Sequence, residues 1–229
     1  MTTLLLLLAA VDDKAADEAL ARFKTSYASP TPVARAAAVA ELARTQHEKI
    51  LARLAGILGS EAKEVKAAAA RGLGGFSEFK KQALGILGAS IAPNEKEPEV
   101  QAAIYEALGK LDDAGALPAL HKGFEDKDGK VASAAILAAA AIRQSASVDL
   151  ILKEFEDADK INKQPAGGGS VPGFSVPGGG GTDPAKARAK EVAKACNKAM
   201  QLISKEKYTT LPEWKIWWSR RRAAFGQEK

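Results

Sequence analysis

The feature that most constrains this chain is a helical pattern that returns along it. Around Val65 the apolar residues are Val65, Ala69, Ala70 and Leu73, followed by Gly74. Around Val100 they are Val100, Ile104, Tyr105 and Leu108, followed by Gly109. Around Val131 they are Val131, Ala135, Ile136 and Ala139, followed by Ala140. An earlier copy reads Ala34, Ala38, Val39 and Leu42, followed by Ala43. Equivalent positions fall at 34, 65, 100 and 131, so the spacings are 31, 35 and 31. Offsets of 0, 4, 5 and 8 make one stripe on a helix of 3.6 residues per turn. Each copy is followed by a second apolar stripe: Ile50, Leu51, Leu54, Ile57 and Leu58; Leu84, Leu87 and Ile91; Leu117, Leu120 and Phe124; Val148, Ile151, Leu152 and Phe155. Stop signals such as Gly59-Ser60, Pro93-Asn94 and Asp112-Asp113 separate the helices. Each unit is therefore a helical hairpin, and a hairpin of this size buries its apolar face only by stacking on a neighbour.

Composition agrees. The 229 residues include 47 alanines and only 6% aromatics. Alanine is the strongest helix former and is depleted in strands. The predicted fold class is all-α, an α-solenoid of about four hairpins with capping helices at both ends. One cysteine, Cys196, excludes an intrachain disulfide and a cysteine-built zinc site. No apolar run reaches the ~18 residues of a membrane span.

The lines Val-polar-x-x-Ala-Ala-x-x-Leu-Gly resemble HEAT repeats, and are more similar to the short bacterial units than to the long eukaryotic ones. The resemblance covers about residues 30–158. Arg35 and Lys66 stand at the family's basic position, whereas Gln101 and Ala132 depart from it. The resemblance implies a right-handed superhelix of antiparallel helix pairs, with first helices convex and second helices concave. It implies interaction with proteins and is nearly silent about chemistry.

The remaining segments are read in chain order. Residues 1–11 contain five consecutive leucines, Leu4 to Leu8, then small residues, and are similar to an export signal without its basic start. Residues 12–29 form an N-terminal cap helix with Ala15, Ala19, Leu20, Phe23 and Tyr27 on its face. Residues 30–161 hold the repeats. Residues 162–183, with Ser-Val-Pro-Gly twice, form a Gly/Pro-rich loop. A phosphate cradle is excluded there, because Thr182, Asp183 and Pro184 follow the glycines where a Lys-Ser/Thr pair is required. Residues 184–229 are helical, basic and tryptophan-rich. They hold 12 basic and 4 acidic side chains (net +8), against 21 and 24 (net −3) in residues 1–183. Trp214, Trp217 and Trp218 lie at i, i+3 and i+4, with Val192, Ala195, Ala199, Leu202 and Ile203 on the preceding helix. The ending resembles the Trp-rich terminal helix of exported bacterial HEAT-repeat proteins, and its indoles are expected to seal the last repeat.

Catalysis has little to stand on. His47 starts a helix as a solvent-facing first-turn residue, His121 sits beside Leu120 and Lys122 as a lone surface histidine, and Cys196 sits among helix residues. The expectation is a non-enzymatic scaffold for a protein or peptide, without cofactor or metal. Its candidate binding positions are His47, Lys80, Lys81, His121, Lys122 and Lys153 on second helices, with Trp214, Trp217 and Trp218 at the end. The alternative is a nucleic-acid-binding protein similar to HEAT-like DNA glycosylases, using the basic end. A pigment-attaching lyase component, a third class with HEAT-like members, has no marker residue here. The expected location is exported, the alternative cytoplasmic.

Overall fold

The computed structural model describes residues 2–164 and 183–225, with side chains from Asp13 onward. Most of the Gly/Pro-rich loop expected at 162–183 lies outside the described residues. The described residues form eleven α-helices and two short 3-10 turns, and no strand. The helices are α1 (Thr2–Tyr27), α2 (Pro32–Leu42), α3 (Glu48–Ser60), α4 (Lys63–Leu73), α5 (Lys80–Ala89), α6 (Pro98–Lys110), α7 (Leu117–Gly123), α8 (Gly129–Ile142), α9 (Ser145–Lys163), α10 (Pro184–Ser204) and α11 (Leu211–Arg221). The fold class is all-α, built from helical hairpins of the solenoid type. The chain divides into two compact units, one ending at Leu120 and one starting at His121.

Local chemistry sets the helix starts. The Thr31 hydroxyl accepts from the Ala34 N–H and Pro32 opens α2. Asp128 accepts from the Lys130 and Val131 N–H groups at α8. Asp183 accepts from the Ala185 N–H, with Pro184 opening α10. The Glu213 carboxylate accepts from the Thr210 N–H and hydroxyl, so it holds the entry of α11 and its own pKa falls below the usual carboxylate range.

In the first unit α4 lies between α2 and α6, and α1 packs on α2. The repeat stripe is its core: Val39, Val65, Ala69, Ala70, Leu73, Val100 and Ile104 are fully buried. Backbones come close enough that a β-carbon on Gly74 would stand 2.7 Å from Ala107 Cα. A polar ladder crosses between repeats. Arg35 pairs with Glu61 at 3.0 Å, and Lys66 with Glu97 at 2.8 Å, each acid standing just ahead of the next repeat's first helix. At the cap helix Ala19 and Phe23 are buried as expected, while Ala16 takes the buried place expected of Ala15, which is exposed.

In the second unit α10 packs against both α8 and α9, and α11 against α9. The pair α10–α11 thus repeats the placement of a first and a second helix and makes a further hairpin. Its core is Val192, Ala195, Cys196, Ala199, Met200 and Ile203. Leu202, expected on this face, is instead 43% exposed, because Cys196 and Met200 complete the stripe beside it. The Arg188 guanidinium donates to the carbonyls of Phe124 and Asp126 at 2.8 and 2.7 Å, tying α10 to the turn before α8.

Candidate functional site: the second-helix positions and the tryptophan hairpin

Three of the second-helix positions are engaged within the protein. His47 is the N-cap of α3: Nδ1 accepts from the Lys49 N–H at 3.1 Å, and Nε2 lies 3.4 Å from the Asp13 carboxylate. A first-turn solvent-facing histidine was expected; capping draws the ring in, and its side chain is only 18% exposed. Lys80 donates to the Asp112 carbonyl at 3.3 Å. His121 Nε2 lies 2.9 Å from the hydroxyl of fully buried Ser147, and its ring meets Phe124 edge-on at 5.5 Å. Burial lowers the His121 pKa below 6.5, so the neutral ring is favoured at neutral pH. No carboxylate pairs with this ring among the described residues, so the Ser–His contact lacks the orienting acid of a nucleophilic triad. Lys81, Lys122 and Lys153 are exposed, and no hydrogen bond or ion pair holds them among the described residues.

The three tryptophans differ. Trp214 is fully buried and donates from Nε1 to Asn197 at 2.8 Å. Trp218 is 5% exposed and donates to Asp149 at 2.8 Å. An aromatic side chain hides roughly 150–250 Å², which at ~25 cal/mol per Å² is about 4–6 kcal/mol each. Their polar ends need acceptors because an unmatched buried N–H is costly. Trp217 is only half-buried. It stacks on Trp218 with centroids 5.9 Å apart and meets Trp214 and Phe225 edge-on at 6.2 and 6.4 Å. Two successive helix positions point about 100° apart, so Trp217 sits on the shoulder of the buried face rather than on it.

Sequence reasoning missed Asp149. Its carboxylate takes Trp218 on one oxygen and Arg222 on the other, at 2.8 and 2.9 Å. Lys215 adds a second tie to α9 through Glu156 at 2.7 Å, which with Lys160 holds the Glu156 pKa down. Of the triple arginine, Arg222 is thereby used in folding. Arg220 and Arg221 are exposed and have no partner among the described residues.

Trp217 separates two clefts. One, of about 430 Å³, is lined by Arg143, Ile203, Glu206, Trp217, Arg221 and Phe225 among others. The other, of about 260 Å³, is lined by Tyr208, Glu213, Ile216, Trp217, Arg220 and Arg221, with Glu206 at its edge. Cys196 is buried within α10, and burial pushes its thiol pKa up, which disfavours the reactive thiolate. Among the described residues no group of three or more His, Cys, Asp or Glu side chains could hold a metal ion. Among them, too, no helix is long and apolar enough to cross a membrane.

Comparison with known proteins adds one match. Residues 86–166 match the family model of HEAT repeats. The matched stretch takes in the third and fourth copies of the repeat. No curated protein matches the chain.

Proposed function

We propose that the protein is a non-enzymatic interaction scaffold that engages a protein or peptide through exposed positions on its second helices. The observation that carries this reading is the contrast among the second-helix cations. Lys80 is spent on an internal bond, while Lys81 in the first unit and Lys122 and Lys153 in the second stand exposed and unpaired. The HEAT-repeat match supports it, since stacked hairpins present extended surfaces that proteins of this architecture use for binding. Charged side chains left unpaired at a surface steer association and select partners more than they stabilise the fold.

The test is affinity capture with the full chain from the cells that make it, beside the variant Lys81→Glu, Lys122→Glu, Lys153→Glu. The reading requires that at least one partner captured by the wild type is lost with the variant while the melting curve is kept. Identical captured sets would refute it. The same preparation yields the mature N-terminus. A start after residue 11 would support the further proposal that the protein is exported, and a start at Met1 would overturn it.

A further inference from the structure

Exposed apolar side chains and unpaired cations converge on one place in the second unit. The described residues have four large hydrophobics that are well exposed, and three of them, Leu202, Tyr208 and Ile216, belong to the α10–α11 hairpin at 43%, 37% and 52%. Ile216 and Tyr208 line the smaller cleft, beside the half-buried Trp217. Arg220 and Arg221 face the same surface, and no carboxylate pairs with them among the described residues. Arg143 stands in the other cleft, with one nitrogen on the Ile203 carbonyl at 3.1 Å and its charge uncompensated. Among the described residues two acids are present. Glu213 is consumed at the helix entry by Thr209 and Thr210, and Glu206 is the one described carboxylate left free on the cleft edges. Three guanidinium groups therefore face one available acid among the described residues.

We infer that this surface is a docking site for an acidic protein segment that carries aromatic or aliphatic anchors. The inference rests on the protein-binding reading above and places a second site apart from the second-helix lysines. Tryptophan and arginine dominate the energetics of protein interfaces, and here the half-buried Trp217 stands beside the exposed Arg220 and Arg221. Carboxylates of the partner pair with Arg220 and Arg221, which suit bidentate recognition. Its apolar side chains enter the clefts on the two sides of the Trp217 indole. A nucleic-acid backbone fits less well. It would have no use for Ile216 and Tyr208, and Glu206 and Glu213 would repel its phosphates.

The experiment uses the full chain and a display library of short peptides, followed by synthetic tryptophan-free forms of the enriched sequences. Expected is enrichment of peptides that combine Asp or Glu with Phe or Leu, and a change in tryptophan emission when they bind. Lys-for-acid and Ser-for-aromatic versions of the same peptides should bind about tenfold or more weakly. Arg220→Glu with Arg221→Glu should weaken binding about as much and leave the melt unchanged, since both side chains are exposed. Trp217→Ala should also lose binding, with Trp217→Phe keeping part of it. In the second-helix lysine variant peptide binding should persist, which separates this site from the proposed scaffold face. Four results would overturn the inference: no enrichment, enrichment of peptides without acids, binding unaffected by the arginine reversal, or tighter binding of duplex DNA or phosphatidylserine vesicles than of any peptide. Self-association through this surface, abolished by the arginine reversal, would overturn it too and assign the clefts to a second copy.

Discussion

At the scale of single residues the tryptophans separate by what surrounds them. Trp218→Ala removes a buried indole and is expected to cost about 3–5 kcal/mol, read as a lower denaturation midpoint. Trp217→Ala should cost less than Trp218→Ala, roughly 1–2 kcal/mol, because that ring is only partly buried. Asp149→Ala strands the Trp218 N–H and should cost about 1–3 kcal/mol. Asp149→Asn keeps an acceptor for the indole and loses mainly the exposed pair with Arg222, worth under ~1 kcal/mol. His121 predicts a pH effect of definite sign. Its folded pKa lies below its unfolded value of 6.5, so between the two the unfolded chain binds more protons. Its contribution is fully present above pH 6.5 and is lost as pH falls towards the folded pKa. Urea melts over this range should show a loss that His121→Gln flattens. Which side chains are buried was largely legible, because apolar spacing reports burial directly: Val65, Ala69, Ala70 and Leu73 are all at 0% exposure. Asp149 was not, since its partners lie 69 and 73 residues away and no local spacing connects them.

At the scale of elements, glycines give opposite predictions according to what faces them. Gly74→Ala would drive a methyl into Ala107 where α4 meets α6, and should cost about 1–3 kcal/mol. Gly85→Ala, within α5 and with nothing inside 4 Å, should instead stabilise by about 0.5–1 kcal/mol. A thermal melt of the two variants would show shifts of opposite direction, and a shared direction would mean that α4 and α6 are packed differently. The Lys66–Glu97 tie belongs to this scale as well. Lys66 is only 13% exposed at its side chain, so Glu97→Gln should cost about 1 kcal/mol or more, beyond a fully exposed pair. The repeat spacing located α2, α4, α6 and α8 and the basic position of the ladder, because both follow from local order. The acids that answer Arg35 and Lys66 lie in the turns before the following helices, 26 and 31 residues on, and are fixed only when hairpins stack.

At the scale of the whole molecule the chain divides into two compact units, and damage in one is expected to show there first. In the second unit α10 covers both α8 and α9, so loosening α11 uncovers the others in turn. Amide exchange in Trp218→Ala should therefore quicken along α10 and α8 as well as in α11. Quickening confined to α11 would show that the hairpins open independently. The charge division of the sequence has its counterpart at this scale, since the unpaired Arg220 and Arg221 lie in the basic final stretch.

One bond between the last two long helices has a wider consequence. Lys186 near the start of α10 donates to the Gln164 carbonyl at the end of α9, at 2.6 Å. The chain thus ends α9 and begins α10 at neighbouring points. What places α10 is its apolar stripe and the Arg188 bonds to the turn before α8. The protein is thus a natural candidate for fragment complementation. Residues 1–164 and 183–229 made as two polypeptides should find each other and co-elute as one helical species, with association set by the same buried surface that otherwise counts as folding.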